Sequence, residues 1–202
     1  MKLCILASLI IFGLVIHRAS RLQRKEKESE DINFWERERL SNSVRRKSLD
    51  DLSYITIPME SLPLDAMPEE PSVAECLQIL KDLTNQPIVN LTGYSNTDLK
   101  LEYGTANLTA LSEYDQNYTI LARTLQQWAE ALYQNGYVEE AQTVLEFSIS
   151  TQTDISHSYY LLAEIYASKL EFSKIEQLYD TVQTLRSANK TVIARTLQEA
   201  YL

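Results

Sequence analysis

The chain has 202 residues and an acidic balance, 19 Lys and Arg against 28 Asp and Glu, for a formal net charge of −9. That balance argues against nucleic-acid binding, which needs a basic face. Two Cys, two His and four Gly are too few for multi-cysteine zinc sites, disulfide frameworks, His-rich metal centres or glycine-rich phosphate loops. The average conceals an asymmetry. Residues 1–50 carry eleven cations and seven carboxylates, net +4, whereas residues 51–202 carry eight and twenty-one, net −13.

The first predicted element is a membrane anchor at 1–17. Leu3 to Ile16 holds fourteen residues without a charge, about 21 Å of helix at 1.5 Å per residue. Met1 and His17 extend it, and Lys2 and Arg18 can snorkel toward the interfaces. A cleaved signal peptide is the rival reading, but charge stands at His17-Arg18-Ala19-Ser20-Arg21 where small residues should be. Arg18, Arg21, Arg24, Lys25 and Lys27 follow the apolar run, so positive-inside logic places the C-terminal body in the cytoplasm. The opposite, extracytoplasmic topology is the alternative.

Residues 18–71 read as a charged juxtamembrane stalk and linker. Gln23 to Lys47 lacks a full apolar stripe, and Arg45-Arg46-Lys47-Ser48 matches a short basic kinase-target pattern. Tyr54 to Ile57 is β-prone and ends at Pro58, so it is expected to dock in extended form. Pro63, Pro68 and Pro71 then interrupt any long helix. All five prolines lie between Pro58 and Pro87, and the rest of the chain is rich in helix formers.

Residues 72–202 are expected to be all-α. Val73–Leu83 and Asp98–Leu111 read as two irregular helices with inner faces at Val73, Leu77 and Leu80 and at Leu99, Tyr103, Ala106 and Ala110. Tyr118, Leu121, Ala122, Leu125, Trp128, Ala129 and Leu132 then form one helical stripe. Asn135-Gly136 supplies a turn, and Val138, Ala141, Val144, Leu145 and Ser148 form a second stripe. Asp154 or Ser156 is available to cap a third helix, whose stripe is Tyr159, Leu162, Ala163 and Tyr166. A fourth shows Phe172, Ile175, Tyr179, Val182 and Leu185. Lys190–Tyr201 fits a closing helix through Ile193 and Leu197.

These stripes repeat at a spacing of 34. Leu125, Trp128, Ala129 and Leu132 map onto Tyr159, Leu162, Ala163 and Tyr166. Ala141, Val144, Leu145 and Ser148 map onto Ile175, Leu178, Tyr179 and Val182. Duplicated hairpins with the same internal offsets signal a repeat architecture. Over about Ala122–Ala188 the chain resembles the tetratricopeptide-repeat family, with Ala129, Ala163 and Ala141 at its small positions and Gly136 at its interhelical turn. It departs from the family at Leu170, which replaces the turn glycine, at Ile175, which replaces a small residue, and in having no closing proline. The resemblance implies a right-handed helical-hairpin solenoid with capping helices and repeats at about 122–155 and 156–189. It also implies a concave groove lined by the first helix of each repeat. Matching positions give Arg123, Gln126, Gln127, Glu130, Tyr133 and Gln134 from one repeat and His157, Tyr160, Leu161, Glu164 and Ser168 from the next. One cation among them disfavours a free acidic C-terminus as ligand, and Glu130 and Glu164 suit a basic or amide-rich partner.

Catalytic signals are thin. Glu69-Glu70 and Glu139-Glu140 are sequence neighbours that do not share a helix face, and Cys76 reads as a core thiol. Neither metal nor cofactor is expected. Four Asn-x-Thr sequons, at Asn90, Asn107, Asn117 and Asn189, matter only for a lumenal chain. The function expected is a non-enzymatic, membrane-tethered protein-interaction module. An envelope-facing accessory subunit of a translocase or folding machinery is the alternative, and a carboxylate-dependent enzyme a remote one.

Overall fold

A computed structural model of the chain describes residues 33–201. The anchor expected at residues 1–17 lies outside the described residues. Among those described, the regular structure is helical, and the only β feature is one isolated antiparallel bridge between Tyr54 and Val89. No described helix is long and apolar enough to cross a membrane.

The chain divides into two units. The first takes the described residues up to Lys47 together with Ser95–Leu108. It contains α1 at 33–41 and α3, Asn96–Tyr103. Ser95 and Asp98 start α3 with a reciprocal capping box, which satisfies two backbone donors that the first turn would otherwise leave open. Glu38 accepts from Lys100 and from Thr97 Oγ1, the latter at 2.7 Å. These donors, Lys100 first, hold its carboxyl below the usual range. Arg37 pairs with Asp98 at 2.8 Å. Gly104 ends α3 at φ +87°, and a Cβ there would run into the Arg45 carbonyl oxygen. The predicted helix Asp98–Leu111 is therefore interrupted, and Ala106 is exposed rather than inward.

The second unit takes Ser48–Tyr94 and the chain from Thr109 onward. Its first helix, α2, is Pro71–Leu83, with proline at its start and Val73, Cys76, Leu77, Leu80 and Leu83 buried. Proline fits there because its missing N–H has no acceptor in a first turn anyway. The segment before it, predicted as linker, contributes Ile57, Leu62 and Ala66 to the core. Ile55 donates to the Ile88 carbonyl at 2.9 Å, so this strand-like run docks in extended form.

Four helices follow: α5, Val138–Ser150, α6, Ser156–Ser168, α7, Phe172–Gln183, and α8, Lys190–Tyr201. They are preceded by α4, Leu108–Gln134, a single 27-residue helix. With no Gly or Pro between Leu108 and Gln134, nothing stops it. α5 packs on α6, α6 on α7 and α8, and α7 on α8. The third helix is capped neither by Asp154 nor by Ser156, because Ile155 holds the N-cap position without a side-chain bond. Asp154 instead accepts from the Ser187 hydroxyl at 2.6 Å.

The spacing of 34 recurs in burial and in backbone hydrogen bonds. Leu125 and Tyr159 are both fully buried, as are Ala129 and Ala163, and Ala141 and Ile175. Leu145 is buried and Tyr179 half-buried. Phe172, placed on the fourth stripe, is 50 % exposed instead. α4 ends at Gln134 and α6 at Ser168, 34 positions apart. At the first turn Tyr137 N–H donates to the Leu132 carbonyl and Gly136 N–H to that of Tyr133, both at 3.0 Å. At the second, Glu171 donates to Tyr166 at 2.9 Å and Leu170 to Ala167 at 3.0 Å. Each is a Schellman closure, which needs a left-handed residue just past the helix. Gly136 supplies it at φ +84° and Leu170 at φ +59°. Leu170 thus departs from the expected glycine in side chain but not in backbone.

The turn between α5 and α6 is held from several sides. Tyr118 and Tyr159, both buried, donate to the carbonyls of Thr151 at 3.3 Å and Thr153 at 2.8 Å. The Asn90 amide donates to the carbonyls of Thr151 and Gln152 at 3.0 Å each. These bonds satisfy carbonyls of the turn, which lie beyond the end of α5 and have no helical partners.

Candidate partner-binding face

The helices α4 and α6, whose stripes match at the spacing of 34, meet through polar side chains. Ser158 donates to Gln126 Oε1, and Gln126 Nε2 donates to Glu130 Oε1 at 2.8 Å. His157 Nε2 lies 3.0 Å from the same oxygen. Gln126 is 7 % exposed and Ser158 fully buried, so the chain begins in the interior and ends on the surface at Glu130 and His157. Buried amides and hydroxyls are tolerated when paired in this way.

A second link crosses the same two helices. Tyr133 donates to Glu164 Oε1 at 2.9 Å. That bond, ahead of burial, raises the Tyr133 phenol above its ordinary value, because deprotonation would leave two anions facing each other. Tyr201, on α8, is raised first by burial and then by Glu164. Tyr160 reaches α8 as well, its hydroxyl 3.3 Å from Thr196 Oγ1.

Of the residues expected on this face, the structure brings some into contact and leaves others apart. Glu130 is brought to His157, Tyr133 to Glu164, and Tyr160 to α8. Arg123, Gln127 and Gln134 are exposed on α4 and stand outside these links. Gln126 and Leu161 are buried, at 7 % and 5 % exposure, so they serve packing rather than a surface. The reason is local: α6 has neighbours in α5, α7 and α8, and Leu161 is covered where its counterpart Gln127 on α4 is exposed. Ser168 is exposed at the end of α6, and its hydroxyl donates to the Ile165 carbonyl at 2.8 Å.

Ser158, Thr196 and Tyr201 were not anticipated. The register contains a signal for Tyr201, since two steps of 34 from Tyr133 pass through Ala167 to Tyr201. α8 itself starts at Lys190, 34 positions after the start of α6, and Ile193 and Leu197 are buried as Tyr159 and Ala163 are. α8 thus continues the spacing of 34 from α6 while closing the chain of contacts.

The face offers carboxylate acceptors, phenolic edges and one imidazole. No group of three or more His, Cys, Asp or Glu able to hold a metal ion occurs among the described residues. Cys76 is buried, and burial ahead of the neighbouring Glu75 raises its thiol, so little thiolate is available for chemistry. All four sequon asparagines use their side-chain amides as donors. Asn107 bonds to the carbonyls of Lys47 at 2.7 Å and Tyr103 at 2.8 Å. Asn117 bonds to that of Pro87 at 3.0 Å, and Asn189 to that of Asp154 at 3.1 Å. Comparison of the chain with protein-family models, with curated proteins and with solved structures finds no match.

Proposed function

We propose that the chain is a membrane-tethered protein-interaction module, a degenerate tetratricopeptide-like stack whose first helices present a partner-binding face. The observation that carries this reading is the 34-residue register itself. It recurs in burial, in helix ends and in turn hydrogen bonds, and stacked hairpins of this kind form extended recognition surfaces. Exposed groups at Arg123, Gln127, Gln134, His157 and Glu164 flank the anchored Glu130 and Tyr133. A basic or amide-rich peptide fits that chemistry, with aromatic edges for contact and carboxylates for orientation.

The uncharged run Leu3–Ile16 supports tethering, and the cations after it support a cytoplasmic body. Asn107 is 1 % exposed with both amide hydrogens engaged. A glycan there has no room in the folded chain. Tethering raises local partner concentration without a new contact. The test is affinity capture with the full chain in detergent, alongside Gln127→Ala/His157→Ala and Tyr133→Ala/Glu164→Ala variants. Loss of the same captured proteins from both variants supports the face. Capture unchanged in both removes it. Labelling of an engineered cysteine near Thr191 only after lysis supports the cytoplasmic orientation, and labelling of intact cells refutes it.

A further inference from the structure

We infer that a second, separate cleft binds a basic amphipathic segment of a partner protein. The cleft has a volume of about 470 Å³ and lies between the irregular segment at 59–66 and the start of α5. It does not depend on the α4–α6 face.

Its walls follow from the sequence. Pro58 and Pro63 fix the backbone of a run of tight turns, in which Ser61 donates to Pro58 and Ala66 to Pro63. Such a run cannot continue as helix, so its side chains split between core and cleft. Leu62 is buried at 6 % exposure and Met59 half-buried, which gives the cleft an apolar floor. Tyr137, from the first Schellman turn, stands beside it 40 % exposed. Pro63, Leu64 and Ala66 share the wall with Glu60, Asp65 and Glu140, and no Lys or Arg lines it.

Some carboxylates of the same unit are paired and others, such as Glu75 and Glu176, are not. Glu139 pairs with Lys169 at 2.7 Å and Glu171 with Lys174 at 2.8 Å. Glu60, Asp65 and Glu140 have no ion-pair or hydrogen-bonding side-chain partner among the described residues. Three unpaired anions therefore rim an apolar floor, on a body of net charge −13. The complementary occupant carries Lys or Arg beside Leu-like groups. Its aliphatic parts would cover the half-buried Met59, Pro63 and Leu64, its cations would meet the rim, and an Arg could lie on the Tyr137 ring.

The test is fluorescence anisotropy with the full chain in detergent and two labelled synthetic twelve-residue peptides. One alternates Leu and Arg in amphipathic order, and the other carries Glu in place of each Arg. The basic peptide is expected to bind, and to weaken as salt rises. The acidic peptide is expected not to bind. Glu60→Gln/Asp65→Asn/Glu140→Gln should weaken the basic peptide at least tenfold, and Tyr137→Ala should weaken it severalfold. Glu176→Gln/Asp180→Asn, exposed on α7 and outside both the cleft and the face, should leave it unchanged, which separates the cleft from a general loss of negative charge. Thermal melts of each variant confirm folding. Should the triple variant unfold, Tyr137→Ala with Glu60→Gln alone decides by the same comparison. Absence of binding to the basic peptide overturns the inference. So does equal loss in the cleft and α7 variants.

Discussion

Replacing Leu170 by glycine should stabilise the chain, although it deletes a large apolar side chain. Leu170 is 76 % exposed, so little burial is lost. Its φ of +59° is left-handed, which costs an L-residue about 1–2 kcal/mol. Glycine removes that cost but adds about 0.5–1 kcal/mol of unfolded-state freedom. The net gain is about 0.5–1 kcal/mol, or roughly 1–4 °C in Tm for a chain of this size. The reciprocal change at the equivalent turn is Gly136→Ala. A Cβ at Gly136 meets nothing within 4 Å, so the penalty there is conformational, about 1 kcal/mol. Urea titration with matched thermal scans measures both. A lower midpoint for Leu170→Gly would refute the reasoning, because the turn would then depend on the leucine side chain rather than tolerate it.

Other outcomes follow from the core and the clasps. Trp128→Ala should cost about 3–5 kcal/mol, since Trp128 is fully buried. Trp128→Phe should cost much less, because the indole N–H has no acceptor among the described residues, and denaturant titration compares the two. Burial pushes the Tyr118 phenol up to about 12, and Tyr159 and Tyr166 move in the same direction, burial first. The folded state thus favours the neutral phenols. Their contribution is complete below about pH 10 and is lost as pH rises through 12, on the order of 2–3 kcal/mol for Tyr118. Tyr118→Phe should flatten the fall in stability across that window, and an unchanged alkaline profile would remove Tyr118 from the account. Asn107→Ala should cost about 1–3 kcal/mol and speed amide exchange at Lys47, whose N–H bonds to the Tyr103 carbonyl at 3.0 Å. Unaltered exchange there would contradict the clasp.

Periodicity made the helices of the C-terminal half legible. The stripes at Leu125–Leu132 and Ala141–Ser148 and their counterparts are buried, with Tyr179 half-buried, because helix geometry repeats when apolar residues recur in step. Ends were harder to read. Gly104 was visible as a breaker, yet the apolar pattern on either side of it suggested one helix; the close approach of the Arg45 backbone decides the matter. The long α4 hides an ordinary stop because none is encoded within it. The core role of Ile57, Leu62 and Ala66 was not legible, since irregular segments carry no period. For the face, spacing brought out the exposed row on α4. It could not show that Gln126 and Leu161 are covered, because that depends on which helix lies alongside. Nor could it pair Glu130 with His157, at a separation of 27 residues, since such pairing needs the tertiary packing of α4 on α6.

The most direct test places a photo-crosslinking amino acid on the full chain in cells, at Gln127 or His157, and in parallel at Glu176 or Asp180 on α7. Protein adducts from positions 127 and 157, with none from 176 and 180, would bear out a partner seated on the first helices. Adducts from α7 alone, or equal yields at all four positions, would contradict it.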